Sequence, residues 1–218
     1  MFVGHFAVGF AGKSMAPRAS LGMLMVAPLL LDMLWPIFLA TGAESVRIVP
    51  GITAVNPLDL HHYPYSHSLV TSLGWSLGLG LLYYAVTRYK RESVVIALAV
   101  FSHWILDFVS HRPDMPIVPG GSARVGLGLW NSVGGTILVE GALFFAGVFS
   151  YAKNTTARTR RGGIGFWSLV MVLAVMYAAN FFAPPPPSVE MLIISAFAMW
   201  LFVPWAWWVD RNRSRVVL

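Results

Sequence analysis

The chain has 218 residues, 57% of them hydrophobic and 11% charged, with a formal net charge of +6 and no cysteine. Soluble domains carry about 25% charged residues, so this composition, with a mean hydropathy of +0.68, excludes an ordinary water-soluble domain and points to lipid as the solvent. The lack of cysteine excludes disulfides and thiolate metal sites, leaving nitrogen and oxygen as the donors for any metal.

The opening stretch, MFVGHFAVGFAGK, lacks the basic leader of a cleaved signal and is too short to span a bilayer. It reads as a retained short helix that either re-enters the bundle or lies at the interface. Six segments then have the apolar length of a spanning helix: about 19–41, 67–87, 93–110, 128–151, 164–183 and 188–209. Between the first two, residues 42–66 carry Pro50, Gly51, Pro57 and Pro64 with little apolar periodicity, which suits a lid or an irregular loop. The second segment holds Gly74 and Gly78, a spacing that lets helix backbones approach closely. Pro184 to Pro187 form a stiff connector before the last segment.

Twelve of the fifteen lysines and arginines fall on one side of this arrangement, at Lys13, Arg18, Arg88, Lys90, Arg91, Lys153, Arg158, Arg160, Arg161, Arg211, Arg213 and Arg215. Arg47, Arg112 and Arg124 fall on the other. The positive-inside rule then puts both ends in the cytoplasm and the loops near 42–66 and 111–127 outside. Basic clusters at helix ends suit anionic headgroups, so the charge does not imply nucleic-acid binding. The expected fold class is all-α: a polytopic membrane helix bundle of six transmembrane helices plus a short N-terminal helix, N-in/C-in. One membrane domain covers 1–218, with a site-bearing part over about 1–145 and a C-terminal helix pair over about 164–209.

Against this apolar background the polar residues stand out. SHWILDFVSHRPDMP, residues 102–116, spaces His103, Asp107 and His111 by four, which puts them on one helix face. Asp32 in APLLLDMLWP and Glu140 in GTILVEGAL also lie inside apolar runs, and His67 opens the second segment. A charged group at bilayer depth costs at least ~2.5 kcal/mol, so such residues face the bundle interior with a partner. Asp32 lies about 13 Å below the outer end of its helix, and His103 and Glu140 about 10 Å, so separate helices bring their polar groups to one level. A divalent metal, zinc first, would satisfy several imidazoles and carboxylates there. His67, His103 and Asp107 are the expected ligands. Asp32 or Glu140 is the expected general base, or a ligand to a second ion. His5 joins only if the first helix re-enters the bundle, and His111 could equally sit at headgroup level. An isolated HxxxD pair is more often a helix-surface hydrogen bond, and the acids on other helices give it weight. His61 and His62 read as loop residues, and Asp59 and Asp114 as solvated or paired with Arg47, Arg112 or Arg124.

Taken in order, GHFAVGF, LLLD, YPYSHSLV, SHWILDFVSHRPDMP, GLGLWNS and VEGALF resemble the membrane-bound metal-dependent hydrolases, also described as LexA-binding inner-membrane-associated hydrolases, from about residue 4 to 145. The resemblance implies site roles for His5, Asp32, His67, His103 and Asp107 and a bacterial inner-membrane location. LLLDML departs from the family pattern, having neither a proline before Asp32 nor a second aspartate after it. A looser similarity, to the zinc-dependent phospholipase C and single-strand nuclease superfamily, rests on ligand order. Its final HxxxE would fall on Thr136 and Glu140, so one ligand is missing. It implies phosphoester bonds of lipids or other envelope substrates, with Arg112 and Arg124 available to hold a phosphate. The expected function is metal-dependent hydrolysis at an outward, periplasmic site. The alternatives are a cation- or proton-coupled transporter, or a structural membrane partner with a buried polar network.

Overall fold

The computed structural model describes residues 1–216. It is mostly helical: α1 (Val3–Met15), α2 (Leu21–Ala40), a hairpin of β1 (Ser45–Ile48) and β2 (Leu58–His62), the single turn α3 (Pro64–His67), α4 (Leu69–Thr87) and α5 (Lys90–Ser110). A bridge of β3 (Met115–Pro116) with β4 (Arg124–Val125) follows, then α6 (Val133–Asn154), β5 (Thr155–Ala157), α7 (Arg160–Ala179), α8 (Val189–Ala198), α9 (Phe202–Arg211) and β6 (Arg213–Arg215), which pairs with β5. Among the described residues six helical segments are long and apolar enough to cross a membrane, counting Val189–Arg211 as one. The chain is therefore a multi-pass membrane protein. The last segment was expected as one helix. It is broken by a 3-10 turn at Met199–Leu201.

Helix starts follow the hydroxyl residues. Ser20, Ser68, Ser132, Thr159 and Ser188 each accept a bond from a backbone N–H of the first turn, at Met23, Thr71, Gly135, Gly162 and Met191. Such caps matter more in lipid, where water cannot satisfy the first-turn donors. The long connections 41–68, 111–132 and 180–188 gather at one end of the bundle, called here the loop end. The opposite, basic end holds the α4–α5 turn and the β5–β6 pair.

Two placements differ from the sequence reading, and one choice left open is settled. The segment α1 is sunk into the bundle, with Val3, His5, Phe6, Phe10 and Lys13 all buried, so it re-enters instead of lying at the interface. Its seat is cut by glycine: a Cβ on Gly147 of α6 would overlap the Ala7 carbonyl, and one on Gly9 would stand 2.8 Å from the Leu24 carbonyl oxygen. Gly74 and Gly78 take no part in packing within the chain, since nothing lies within 4 Å of a Cβ built on either. The close approach of α4 to α5 instead uses Gly80, whose Cβ would meet Ala97 at 2.8 Å. The loop 42–66 is partly ordered as an antiparallel hairpin, with Arg47 opposite Asp59 and Ile48 opposite Leu58.

The core from the middle of the bundle to the basic end is apolar, built from Phe6, Phe10, Leu21, Met25, Tyr151, Phe166 and their neighbours, with a second cluster around Leu24, Leu31, Ile96 and Val100. It is closed at the basic end by an ion pair. Lys13 Nζ lies 2.7 Å from Asp210 Oδ2, and Asp210 also accepts from Leu21 N at 3.1 Å and from Tyr151 Oη at 2.9 Å. This clamp joins α1, α2, α6 and α9. Asp210→Ala would strand the buried Lys13 ammonium and is expected to cost about 3–5 kcal/mol. Thermal unfolding in detergent should show the loss, while metal binding at the loop end stays at the wild-type level.

Candidate metal centre

Four helical elements deliver polar side chains to one point near the loop end. His103 and Asp107 share a face of α5, and His111 caps that helix one turn on. Pro64 starts α3 and Ser68, in an extended conformation, restarts the chain as α4, so His67 sits at the break and turns inward. Asp32 comes from α2, where Pro36 lacks the N–H that would bond the Asp32 carbonyl and so loosens the helix there. His5 comes from α1. His5, His67, His103, Asp107 and His111 are at most 4% exposed. Asp32 has 28% of its side chain open, the most accessible group of the set.

The outer nitrogens of the histidines settle the chemistry of the inner ones. His103 Nδ1 lies 2.6 Å from the Pro28 carbonyl, which can only accept, so Nδ1 carries the proton. His67 Nδ1 lies 2.6 Å from Ser66 Oγ, whose own hydrogen is given to Glu44 Oε2 at 2.7 Å, so Nδ1 again donates. His111 Nδ1 donates to Asp114 Oδ1 at 3.1 Å. Burial and the neighbouring Asp114 hold the Tyr63 hydroxyl well above its usual range, so it remains a donor to the same Asp114 oxygen, at 2.9 Å. In the neutral rings all three Nε2 atoms are then bare lone pairs.

These lone pairs face one another and the carboxylates. His67 Nε2 is 3.3 Å from His103 Nε2 and 3.4 Å from Asp32 Oδ1. Asp107 Oδ2 is 3.0 Å from His103 Nε2, 3.6 Å from His111 Nε2 and 3.7 Å from His67 Nε2. Acceptors crowded this closely repel unless positive charge lies among them. Ligands about 2.1 Å from a tetrahedral zinc stand roughly 3.4 Å apart, which is the spacing found here, so the residues fit a divalent ion. Two overlapping triads, Asp32–His67–His103 and His5–His103–Asp107, each bring one donor atom per residue within 4.8 Å of the others. Asp107 belongs to both lobes: its Oδ1 is 3.0 Å from His5 Nε2, and the Met1 amino nitrogen also contacts that oxygen. The His5 and His103 rings stack at 3.8 Å.

Five of the residues expected from the sequence, His5, Asp32, His67, His103 and Asp107, therefore meet. His111, left open between site and headgroup level, is brought in. Glu140 stands apart: it is buried, and its Oε2 accepts from Phe2 N at 2.8 Å and Gly4 N at 3.5 Å, so it anchors the start of α1 and hence His5. His61 bonds Ser45 Oγ at 3.0 Å on the hairpin, away from the cluster. Arg112 contacts Asp59 and reaches Asp114 Oδ2 at 3.1 Å, while Arg124 donates to the Gly121 carbonyl at 2.7 Å. Neither arginine lines the cavity that opens from the cluster. The sequence reading missed Glu44, a buried carboxylate that also accepts from Tyr65 N at 2.7 Å and Ser66 N at 2.8 Å. Its signal was a lone acid in a polar loop, indistinguishable from a solvated one.

A cavity of about 520 Å³ opens from the cluster. Asp32, His67, Asp107, His111 and Glu140 form its floor, and residues 50–58 of the hairpin lie over it. Among the described residues no lysine or arginine lines it. The C-terminal helices supply a wall of the cavity through Tyr177, Asn180, Leu192 and Ser195. The chain matches no family model, no curated protein and no solved structure.

Proposed function

We propose that this protein is a metal-dependent hydrolase of a bacterial inner membrane, with its site toward the periplasm. The carrying observation is that three imidazoles anchored through Nδ1 turn bare Nε2 atoms toward Asp32 and Asp107, the Met1 ammonium lying on the His5 side of Asp107. His67, His103 and Asp107 would hold the ion, with His111 and His5 completing one or two positions. A bound zinc would bring the pKa of a coordinated water down to about 7. Asp32 is the open carboxylate of the cluster and faces the cavity, so it is suited to take that water's proton, or to bind a second ion. Buried Glu140 holds α1 in place, which supports a positioning role more than a base. The bias of twelve basic residues toward the opposite end supports the outward orientation. The apolar core beneath the cluster, closed by Lys13 and Asp210, supports hydrolysis over transport, because a transporter needs polar groups continuing to the other face.

The test is a panel of phosphodiester and carboxylester substrates offered to the protein in nanodiscs. Hydrolysis should vanish with a chelator, return with zinc, and fall in Asp32→Asn. A protein that hydrolyses none of the panel and instead moves protons across vesicle membranes would contradict the proposal.

A further inference from the structure

The cavity extends sideways to α7 and α8, whose Tyr177, Asn180, Leu192 and Ser195 line it. Beyond Leu173, α7 has no buried residue among those described, and α8 buries only Leu192. The halves of these helices nearest the loop end thus face mostly outward. α8 packs on α2 through Leu192 against Trp35 and Leu39, α7 is tied to α6 by Tyr177 Oη donating to the Thr136 carbonyl at 3.0 Å, and the cavity wall takes residues from both sides of the gap between α7 and α8. Asn180 and Ser195 line the cavity and are exposed, as are Pro184 and Pro185 of the connector. Ser195 lies six residues below the start of α8, about 9 Å into the layer, and Asp32 lies eight residues below the end of α2, about 12 Å. Gap and cluster are therefore at one depth, inside the span of the helices. The upper side is closed differently: the hairpin and residues 50–57 lie across it, held by the Arg112 contact with Asp59 and by Glu44 under the Tyr65 and Ser66 amides.

We infer that the cleft between α7 and α8 is a lateral entrance through which a membrane lipid of the leaflet at the loop end brings its headgroup to the His/Asp cluster, its acyl chains staying in the bilayer. This inference deepens the hydrolase reading and takes the metal centre from it. Three observations select a lipid. The opening is at bilayer depth, where a water-soluble substrate does not travel. A volume of 520 Å³ is roughly 8 Å on edge, too narrow for a helical peptide with its side chains at about 10–12 Å. The lining changes along the path, from His and Asp at the floor through Tyr177, Asn180 and Ser195 to exposed Phe182 and Ile194 outside, as an amphiphile changes from headgroup to chain. With no lysine or arginine in the wall, an anionic headgroup would take its charge partners from the ion and from the Met1 ammonium, which already contacts Asp107.

The experiment uses the full chain in nanodiscs of phosphatidylethanolamine and phosphatidylglycerol, with metal content measured on each sample. A photoreactive benzoylphenylalanine replaces Trp35, a buried aromatic in the cavity wall, or in a second variant Tyr177; a third sample carries it at Leu81 on the lipid-facing side of α4. Irradiation followed by intact mass measurement should give lipid adducts from inside the cavity as well as from Leu81. Ser195→Trp or Asn180→Trp, plugging the mouth, should lower the cavity adducts about tenfold and leave the Leu81 adducts unchanged. Adducts at Leu81 with none at Trp35 or Tyr177, or cavity adducts indifferent to both plugs, would overturn the lateral entrance. Cavity adducts that respond to the plugs in a protein that takes up no metal would leave the entrance standing and remove the hydrolase reading instead.

Discussion

Asp107→Ala is expected to abolish tight metal binding. The carboxylate contributes an oxygen to each lobe of the cluster, Oδ2 facing His67, His103 and His111 and Oδ1 facing His5. Its removal therefore takes a ligand from both lobes and leaves only neutral imidazoles and Asp32 to offset the charge of the ion. The loss should exceed the 10–100-fold typical of substituting a group that merely orients a ligand. Asp114→Ala provides that comparison, since Asp114 acts through His111 Nδ1. Cobalt titration followed by its visible absorption measures both variants on the same scale. An Asp107→Ala protein that binds cobalt within about tenfold of wild type would mean that the ion, if any, sits elsewhere.

Glu44→Gln should weaken metal binding from outside the cluster, by a change of tautomer. The Glu44 carboxylate accepts the Ser66 hydroxyl hydrogen, which obliges Ser66 Oγ to accept from His67 Nδ1 and leaves Nε2 bare. A glutamine can still accept from Tyr65 N and Ser66 N with its oxygen, but it then presents an amide N–H₂ toward Ser66. The serine hydrogen is turned toward His67 Nδ1, and the proton of the ring moves to Nε2, where it blocks coordination. The expected loss in affinity is about 10–100-fold, with about 1–3 kcal/mol of stability lost if any buried partner is left unsatisfied. Nitrogen NMR of His67 distinguishes this from simple unfolding, because the tautomer exchange moves both ring signals while the helical spectrum persists. Ser66→Ala should weaken binding without forcing the tautomer. Unchanged affinity in a folded Glu44→Gln protein would show that the relay has no influence on His67.

The helices were legible because lipid imposes a simple rule: an apolar run long enough to cross must be helical. The spans at α2, α4 and α5 agree with the expected segments to within three residues at either end. The break at Met199–Leu201 had a signal that the reading passed over, since Pro204 lacks the N–H that would bond the Trp200 carbonyl. The exposed Gly74 and Gly78 show why a spacing motif cannot choose its partner: the face used by α4 is set by Ser72, Ser76 and Gly80, which point the other way. The site was legible where its residues were anomalous. Asp32, His103 and Asp107 lie in apolar helices, where an ionisable side chain needs a compensating partner. Glu44, Ser66, Tyr63 and Asp114 orient the histidines from loop segments in which polar residues are ordinary, and only tertiary contact distinguishes them. The same limit applied to His111. Its depth depends on where α5 ends, and the structure makes it the cap of that helix, against Trp130 at 4.4 Å. The contribution of α7 and α8 to the cavity was invisible for the opposite reason: Tyr177, Asn180 and Ser195 carry no charge to mark them.

The central claim is that the cluster of His67, His103, Asp107 and Asp32 holds a divalent ion. Elemental analysis of the purified wild-type protein, supplied with zinc during expression and washed in detergent, tests it most directly beside His103→Ala and Asp107→Ala samples treated identically. The account predicts at least one zinc per wild-type chain and a sharp fall in both variants. Wild-type protein that carries only trace metal after supplementation, or variants that retain as much as the wild type, would contradict it.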